Sequence, residues 1–200
     1  MAPARRLVLA SASPARLRLL VAAGFAPEVV VSGVDEDAIT ATAPTDLVVA
    51  LAEAKASVVA ARRELLGAIV VGCDSLLDVD GGHHGKPASI AEARARLTML
   101  RGRSAVLRTG HCVIDTATGR RASGVASTEV RFGRFGDDEL EAYLSSGEAL
   151  AVAGAFTLDG RSAPFVDGIT GDHGNVIGLS LPLFRALLRE VDLRVMDLWT

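Results

Sequence analysis

The chain has 200 residues, of which half are apolar and 22% are charged, and its formal net charge at pH 7 is −3. This length allows one large domain or two small lobes with a proper hydrophobic core. The composition excludes a disordered chain and a strongly nucleic-acid-binding one. Aromatic residues make up only 4% of the chain, which excludes stacking platforms for single-stranded nucleic acid.

The apolar runs and the cysteines bear on where the protein resides. No apolar run approaches the roughly 18 residues that a membrane-spanning helix needs, so we expect no membrane partner. The first apolar run, Leu7 to Ala10, is too short for a signal peptide and predicts a strand instead. Cys73 and Cys112 are isolated and form no CxxC pair. We therefore expect a reduced, cytoplasmic protein without a disulfide framework.

The first strand is followed by a serine-rich turn that contains Ser11 and by a helix from Pro14 to about Ala23. Ser13 is a favourable N-cap, and proline at the first helical position loses no hydrogen bond. A strand, a turn and a helix N-terminus that meet in this way present free N–H groups to an anion, and Arg16 adds a charged fork. The alternative is an ordinary capped helix with an arginine on its surface.

The next segment contains an acidic cluster at residues 35–37 and a long helix. The cluster is either a solvated loop or a source of hard oxygen ligands for a divalent cation. Thr45 and Asp46 are predicted to cap the helix, which should run to about Leu66 with an apolar face. Lys55 lies within this helix, where an exposed position is the default.

The central segment begins with a buried strand over Ile69 to Val71, and Asp74 follows it directly. A second apolar run, Leu76 to Val79, ends at the tight-turn signal of residues 80–82, after which Lys86 follows. An acid at the end of a buried strand, with a lysine returned by a turn, suits phosphate or metal chemistry. The alternative for Asp74 is an ordinary turn or cap residue.

The remaining chain alternates helices with β-type runs. We predict helices from Ser89 to Leu100, from an Asp137 cap to Leu144, and up to Glu190, with a hairpin of Ser104–Ile114 and Ala122–Phe132. Further short strands are predicted over 154–160 and 164–169, and a loop over 171–175. The histidines, His83, His84, His111 and His173, show no spacing typical of a zinc site. The pattern predicts a mixed α/β sheet in two lobes with a cleft.

Seven sequence blocks, taken together, carry a family resemblance. In chain order they are LASASPARLRLL, VDED, EAKA, VGCDSLL with GKP, RTGH, AGAF, and DGITGDHGNVIGLSLPLF. In this order the blocks resemble the Maf family of nucleoside triphosphate pyrophosphatases. The resemblance implies a single Maf-like domain over residues 1–200. Its fold would be a curved mixed α/β sheet with flanking helices and two lobes around a cleft, related to the inosine-triphosphate pyrophosphatase fold.

The resemblance also implies a chemistry and a site. The resemblance implies an enzyme that hydrolyses a nucleoside triphosphate to the monophosphate and pyrophosphate with Mg²⁺ or Mn²⁺. Its role would be to clear modified or non-canonical nucleotides. Asp74 would be the catalytic base on water and, with Glu36, would hold the metal. The positions that match the family's phosphate-handling residues are Ser11, Ser13, Arg16, Lys55 and Lys86. A carboxylate is a weak base, so contact with a metal or burial must assist it.

Two departures from the family pattern concern base selection. The family's usual Ala-Asp-Thr is Cys73-Asp74-Ser75 here, and Asp159 stands where pyrimidine-specific members have glutamine. Members that act on 7-methyl-GTP differ at the same two places. The resemblance therefore implicates Ser75 and Asp159 in base selectivity and leaves the preferred base open.

Two further alternatives remain at this point. A non-catalytic nucleotide-binding regulator of cell division would retain the phosphate-binding residues, although binding alone requires no general base. An enzyme that removes purines such as ITP or XTP is suggested by the related fold, which is a weak warrant for substrate. We expect no nucleic-acid partner, and a homodimer is left open.

Overall fold

The computed structural model describes residues 5–200, which form an α/β protein. Within these residues the strands are β1 (Leu7–Leu9), β2 (Glu28–Val29), β3 (Ile69–Val79), β4 (Gly82–His84), β5 (Ser104–Asp115), β6 (Arg121–Phe132) and β7 (Val166–Thr170). The α-helices are α1 (Pro14–Ala22), α2 (Pro44–Ala60), α3 (Ile90–Leu100), α4 (Asp137–Ser145), α5 (His173–Ile177) and α6 (Leu181–Glu190). Among these helices none is both long and apolar enough to cross a membrane.

The strands form one mixed sheet in the order β2-β1-β3-β5-β6-β7, with β4 paired to β3. Strand β1 is parallel to both of its neighbours, whereas β3 with β4 and β6 with β7 are antiparallel. Parallel neighbours require a crossover, and the helical segments after β1 and β2 provide it. The predicted mixed α/β sheet with flanking helices is confirmed. Its curvature and the cleft stay predictions.

The described chain divides into two compact units. The first comprises the chain up to Asp74 with residues 109–126 and 178–200. Here the sheet is covered on both faces, which is the usual setting of parallel strands. Apolar residues of α2 pack on one face with Val8 and Val70, and those of α1 and α6 pack on the other with Leu9 and Val71.

The second unit comprises residues 75–108 and 127–177. Its core joins α3 and α4 to β3, β5 and β6, with Leu97 and Leu144 from the helices packing against Leu77 and Leu107 from the strands. Stacked Phe135 and Phe165 rings, 4.3 Å apart, lie at the same core. Each unit therefore has its own hydrophobic core.

Strand β3 corrects the prediction that Asp74 follows a strand. The strand continues without interruption from Ile69 to Val79, so Asp74 lies in its middle. The polar residues in this stretch suggested a break, but Gly72, Cys73 and Asp74 are all buried. Buried backbone groups must be hydrogen-bonded, and β3 has partners in β1 over 69–71, in β4 over 77–79, and in β5 as a further neighbour.

The prediction for α2 was wrong at both of its ends. Helix α2 begins at Pro44 with Ala43 as its N-cap, rather than being capped by Thr45 and Asp46, and it ends at Ala60 rather than near Leu66. Proline at the first position sets the start without a side-chain cap. The end comes early because buried Leu65 packs with Val59 in the core, in a 3₁₀ turn that precedes β3.

The C-terminal half contains three more differences. Asp137 is the first residue of α4, and the cap is Gly136, whose N–H donates to Glu139. Residues 154–160 form no strand, because Gly154 and Ala155 have positive φ and belong to a 3₁₀ turn. The predicted loop at 171–175 is partly helical, since α5 begins at His173.

Candidate active site

The serine-rich turn before α1 has the predicted geometry. Ser13 is the N-cap, and its Oγ accepts a hydrogen bond from the Arg16 N–H at 3.4 Å. Ser11 Oγ accepts in turn from the Ser13 N–H at 3.2 Å. Two hydroxyls and a helix N-terminus therefore meet at one place in the first unit, an arrangement suited to an anion.

The Arg16 side chain is buried, which overturns the alternative of a surface arginine. Its Nε donates to the Gly178 carbonyl at 2.7 Å, and its Nη1 donates to the Cys73 carbonyl at 2.8 Å and to Ser11 Oγ at 3.1 Å. The Cys73 carbonyl directly precedes Asp74. Arg16 therefore ties α1 and the segment at Gly178 to the strand residue next to the predicted base.

Lys55 brings the two predicted carboxylates together. Its Nζ lies 2.6 Å from Asp74 Oδ1 and 2.7 Å from Glu36 Oε1. Lys55 is 8% and Asp74 9% exposed, whereas the Glu36 side chain is 54% exposed. A buried carboxylate needs a charged or hydrogen-bonding partner, and the Lys55 ammonium supplies it. The expected exposed position of Lys55 was therefore wrong.

Two glycines that the sequence analysis missed allow Lys55 to reach Asp74. A Cβ on Gly72 would overlap the Ala52 carbonyl oxygen and lie 2.8 Å from the Ala56 nitrogen. A Cβ on Gly110 would overlap the Val48 carbonyl oxygen. Helix α2 thus lies directly on the strand backbones. Glycine inside a strand is the signal that could have indicated this close approach.

Gly72 and Asp74 share the α2 face of β3, because side chains two apart in a strand point the same way. Cys73 points to the other face and packs among apolar residues of the first unit. Burial raises the pKa of the Cys73 thiol to about 12, against the opposing effect of the Arg16 charge. The thiol is therefore protonated at neutral pH and is neither a nucleophile nor a metal ligand.

Lys86, Ser75 and Asp159 belong to the second unit. Lys86 is exposed and follows Gly85 in the loop after β4. The Gly85 carbonyl accepts from Arg96 Nη1 at 2.6 Å and from the Gly154 N–H at 3.0 Å. The backbone beside Lys86 is thus held in place while its ammonium is presented to solvent.

Ser75 is half-buried and follows Asp74 in β3. Asp159 is exposed in a turn, where its carboxylate accepts from Thr157 Oγ1. The turn is closed further by Ser162, whose Oγ bonds both the N–H and the carbonyl of Thr157. These contacts support Asp159 as a turn-forming residue.

Among the residues that the structure describes, no three histidine, cysteine, aspartate or glutamate side chains converge as a metal site would require. Glu36 and Asp74 meet only as a pair, through Lys55. The first unit thus combines a buried carboxylate paired with a buried lysine and an anion-receptive helix N-terminus. Such a set can hold a phosphate and remove a proton from a bound water.

Comparisons with known proteins identify the family. A family model described as "Maf-like protein" matches residues 6–191. A "Nucleoside triphosphate pyrophosphatase" of Streptomyces coelicolor is 66% identical over 197 residues, covering 98% of this chain and 96% of that protein. Proteins of the same name from Streptomyces avermitilis and Salinispora tropica are 63% and 51% identical, over 99% and 98% of this chain and 96% and 88% of their own lengths. The family resemblance drawn from the sequence blocks is confirmed, and the chain belongs to the Maf-like protein family.

Proposed function

We propose that this protein is a nucleoside triphosphate pyrophosphatase, which adds water across the bond between the α- and β-phosphates and releases a nucleoside monophosphate and pyrophosphate. The observation that carries the proposal is the buried Asp74 carboxylate held by the Lys55 ammonium in the same unit as the Ser11–Arg16 turn. Both cysteines are free, buried thiols, which supports a reduced, cytoplasmic setting as part of the proposal.

In this reaction Asp74 takes the proton from the attacking water. Lys55 contacts Oδ1 at 2.6 Å, so the second carboxylate oxygen is the one available to accept that proton. The same ammonium has further N–H donors for a phosphate oxygen. Burial of both groups strengthens their interaction relative to bulk water.

The phosphates would be held by groups that differ in kind. Ser11 and Ser13 present hydroxyls at the N-terminus of α1, whose dipole favours an anion. Lys86 is exposed on a loop with a restrained backbone and would add a positive charge. Arg16 has two donor nitrogens committed to protein carbonyls, so we assign it mainly the task of shaping this phosphate site.

The donor set also fits a divalent cation. Mg²⁺ is commonly bound by one or two carboxylates, with substrate phosphates and waters completing its coordination. Glu36 and Asp74 supply two hard oxygen donors that meet at a common partner. We propose that these residues hold Mg²⁺ or Mn²⁺, which when bound would neutralise charge on the phosphates. Lys55 would orient both carboxylates for that purpose.

The proposal is tested by pyrophosphate release from purified protein on a panel of UTP, dTTP, 7-methyl-GTP, ITP and XTP. We expect release with Mg²⁺ or Mn²⁺ and none after chelation, with at least one substrate turned over well above the others. Absence of release from every nucleotide contradicts the proposal. A stable, uncleaved nucleotide complex with metal, seen by calorimetry, would instead favour the non-catalytic regulator.

We further propose that Asp159 selects the base, with Ser75 beside the catalytic strand residue as a second contributor. An ionised carboxylate only accepts hydrogen bonds, whereas glutamine both donates and accepts. Asp159 should therefore favour a base edge with donors, such as that of guanine, over the O4 acceptor of uracil or thymine. Asp159 is exposed in the structure, and a hydrogen-bond mismatch that the bound base covers would cost ~1–3 kcal/mol, or about ten- to a hundred-fold discrimination.

We expect Asp159→Gln to shift relative kcat/KM towards UTP and dTTP by about tenfold or more. The measurement is competition kinetics on the same panel. Asp138→Gln is the matched control, since Asp138 is an exposed acid on α4 of the same unit and its loss should leave the preference unchanged. Identical relative kcat/KM values for wild type and Asp159→Gln would leave Asp159 as a turn residue only.

A further inference from the structure

His111 is a fully buried histidine in β5 of the first unit. Its Nε2 lies 2.8 Å from the backbone nitrogen of Ser180, and its Nδ1 lies 3.0 Å from the Thr109 carbonyl oxygen. A backbone N–H can only donate, so Nε2 must be the unprotonated acceptor. The ring proton is therefore on Nδ1, where it is donated to the Thr109 carbonyl. The geometry selects one neutral tautomer of the imidazole.

Residues 178–180 contact both His111 and Arg16. Ser180 is the N-cap of α6, and Gly178, two residues earlier, accepts the Arg16 Nε hydrogen bond at 2.7 Å. Arg16 then reaches the Cys73 carbonyl at 2.8 Å, directly before Asp74. A continuous set of buried contacts thus joins His111 to the backbone of the proposed base.

Within this segment Leu179 is fully buried in the core, and the Ser180 side chain and carbonyl accept from N–H groups of α6, so the His111 contact is the one that fixes the Ser180 N–H. Gly178 has a φ of +127°, a conformation that favours glycine. Loss of the Ser180 contact would leave a buried N–H unsatisfied and allow residues 178–180 to shift towards another partner. Arg16 would then lose its Gly178 acceptor, and its second contact at Cys73 would change with it.

We propose that His111 is a positioning residue, which acts through residues 178–180 and Arg16 to set the orientation of Asp74. This inference rests on the proposed function, because it assumes that Asp74 is the base. The imidazole is fully buried, so the role assigned to it involves no contact with substrate or metal. Its contribution is a hydrogen-bond acceptor at one place, which only the neutral Nδ1–H form provides.

Two substitutions distinguish the hydrogen-bond acceptor role of His111 from its contribution to core packing. His111→Gln places a side-chain oxygen close to the position of Nε2 and can still accept from the Ser180 N–H. His111→Asn is one bond shorter, so it can keep a donor for the Thr109 carbonyl but cannot reach Ser180. We expect the glutamine variant to keep kcat/KM within about threefold and the asparagine variant to lose about tenfold, chiefly in kcat. Equal activities of the two folded variants would overturn the inference.

A double-mutant cycle tests whether the effect passes through Arg16. Arg16→Met removes the donors while keeping a long side chain, and we expect His111→Asn to lower kcat/KM by less than about twofold in that background. If the double variant instead loses kcat/KM by the product of the two single-variant losses, the two residues act independently and the inference is overturned. Asp115→Asn is the matched control, since Asp115 is buried and paired with Arg5 in the same unit. Its fold-loss in kcat/KM should be the same with and without Arg16→Met.

Failure of the positioning role of His111 can be distinguished from failure of the proposed function. If Asp74→Asn retains full activity, the assignment of the base is wrong regardless of His111. If Asp74→Asn is inactive while His111→Asn, folded by circular dichroism, matches wild type, only the positioning role is wrong. Melting temperatures of all variants should be measured, and the assays run well below the lowest of them.

Discussion

Asp74→Asn is expected to lower kcat by ~10²-fold or more, the range expected for a positioned general base. The amide has nearly the same shape as the carboxylate but cannot take up the proton of the attacking water. Nucleotide binding should persist, because the serine turn and Lys86 are unaffected. Steady-state pyrophosphate release gives kcat, and calorimetry with intact nucleotide gives the affinity.

Asp78 provides the control for this substitution. It lies four residues further along β3 and is paired with Arg108 at 2.9 Å, so Asp78→Asn removes an ion-paired carboxylate from the same strand. We expect Asp78→Asn to retain near-wild-type kcat. A folded Asp74→Asn variant with full turnover would remove Asp74 from the catalytic role, and equal losses in both variants would point to a general effect of charge.

Gly72→Ala is expected to destabilise the protein by about 3 kcal/mol, the upper end of the usual range for overpacking a core. The added methyl group would overlap the Ala52 carbonyl oxygen and lie 2.8 Å from the Ala56 nitrogen. Both are backbone atoms of α2, so the helix itself must move. For a chain of this size the melting temperature should fall by roughly 6–12 °C.

The same shift of α2 would displace Lys55, which lies between Ala52 and Ala56 in that helix. We therefore expect about a tenfold fall in kcat/KM for the fraction that stays folded. Gly124→Ala is the control, because a Cβ there would meet only the ends of the Leu183 and Leu187 side chains, at 3.4 Å or more, which are ordinary contacts. Gly72→Ala with a melting temperature equal to that of Gly124→Ala would show that α2 is not held against β3 at this point.

The two acids that meet at Lys55 differ in how firmly they are held. Asp74 is in the middle of a buried strand, whereas Glu36 is exposed in the segment before α2. A base must be placed accurately with respect to water, which suits the rigid strand. A ligand that has to adapt as substrate and metal arrive suits the exposed segment. The difference supports the assignment of Asp74, rather than Glu36, as the base.

Local chemistry accounts for what the sequence alone predicted well. The Ser13 cap with Pro14, the Ser89 cap and the turn at residues 80–82 depend on backbone geometry within a few residues, and all three are confirmed. The family assignment is confirmed as well, because its blocks together span nearly the whole chain. The preferred base, the metal ligands and the cleft stay predictions.

The features that the sequence patterns did not predict depend on tertiary packing. Whether β3 stops or continues at Asp74, where α2 ends, and whether Lys55 is exposed all depend on what packs beside them. The buried partners of Arg16 come from positions 57 and 162 residues away in the chain. No local propensity carries such information, since a buried polar group adopts whichever partner the fold brings within hydrogen-bond distance.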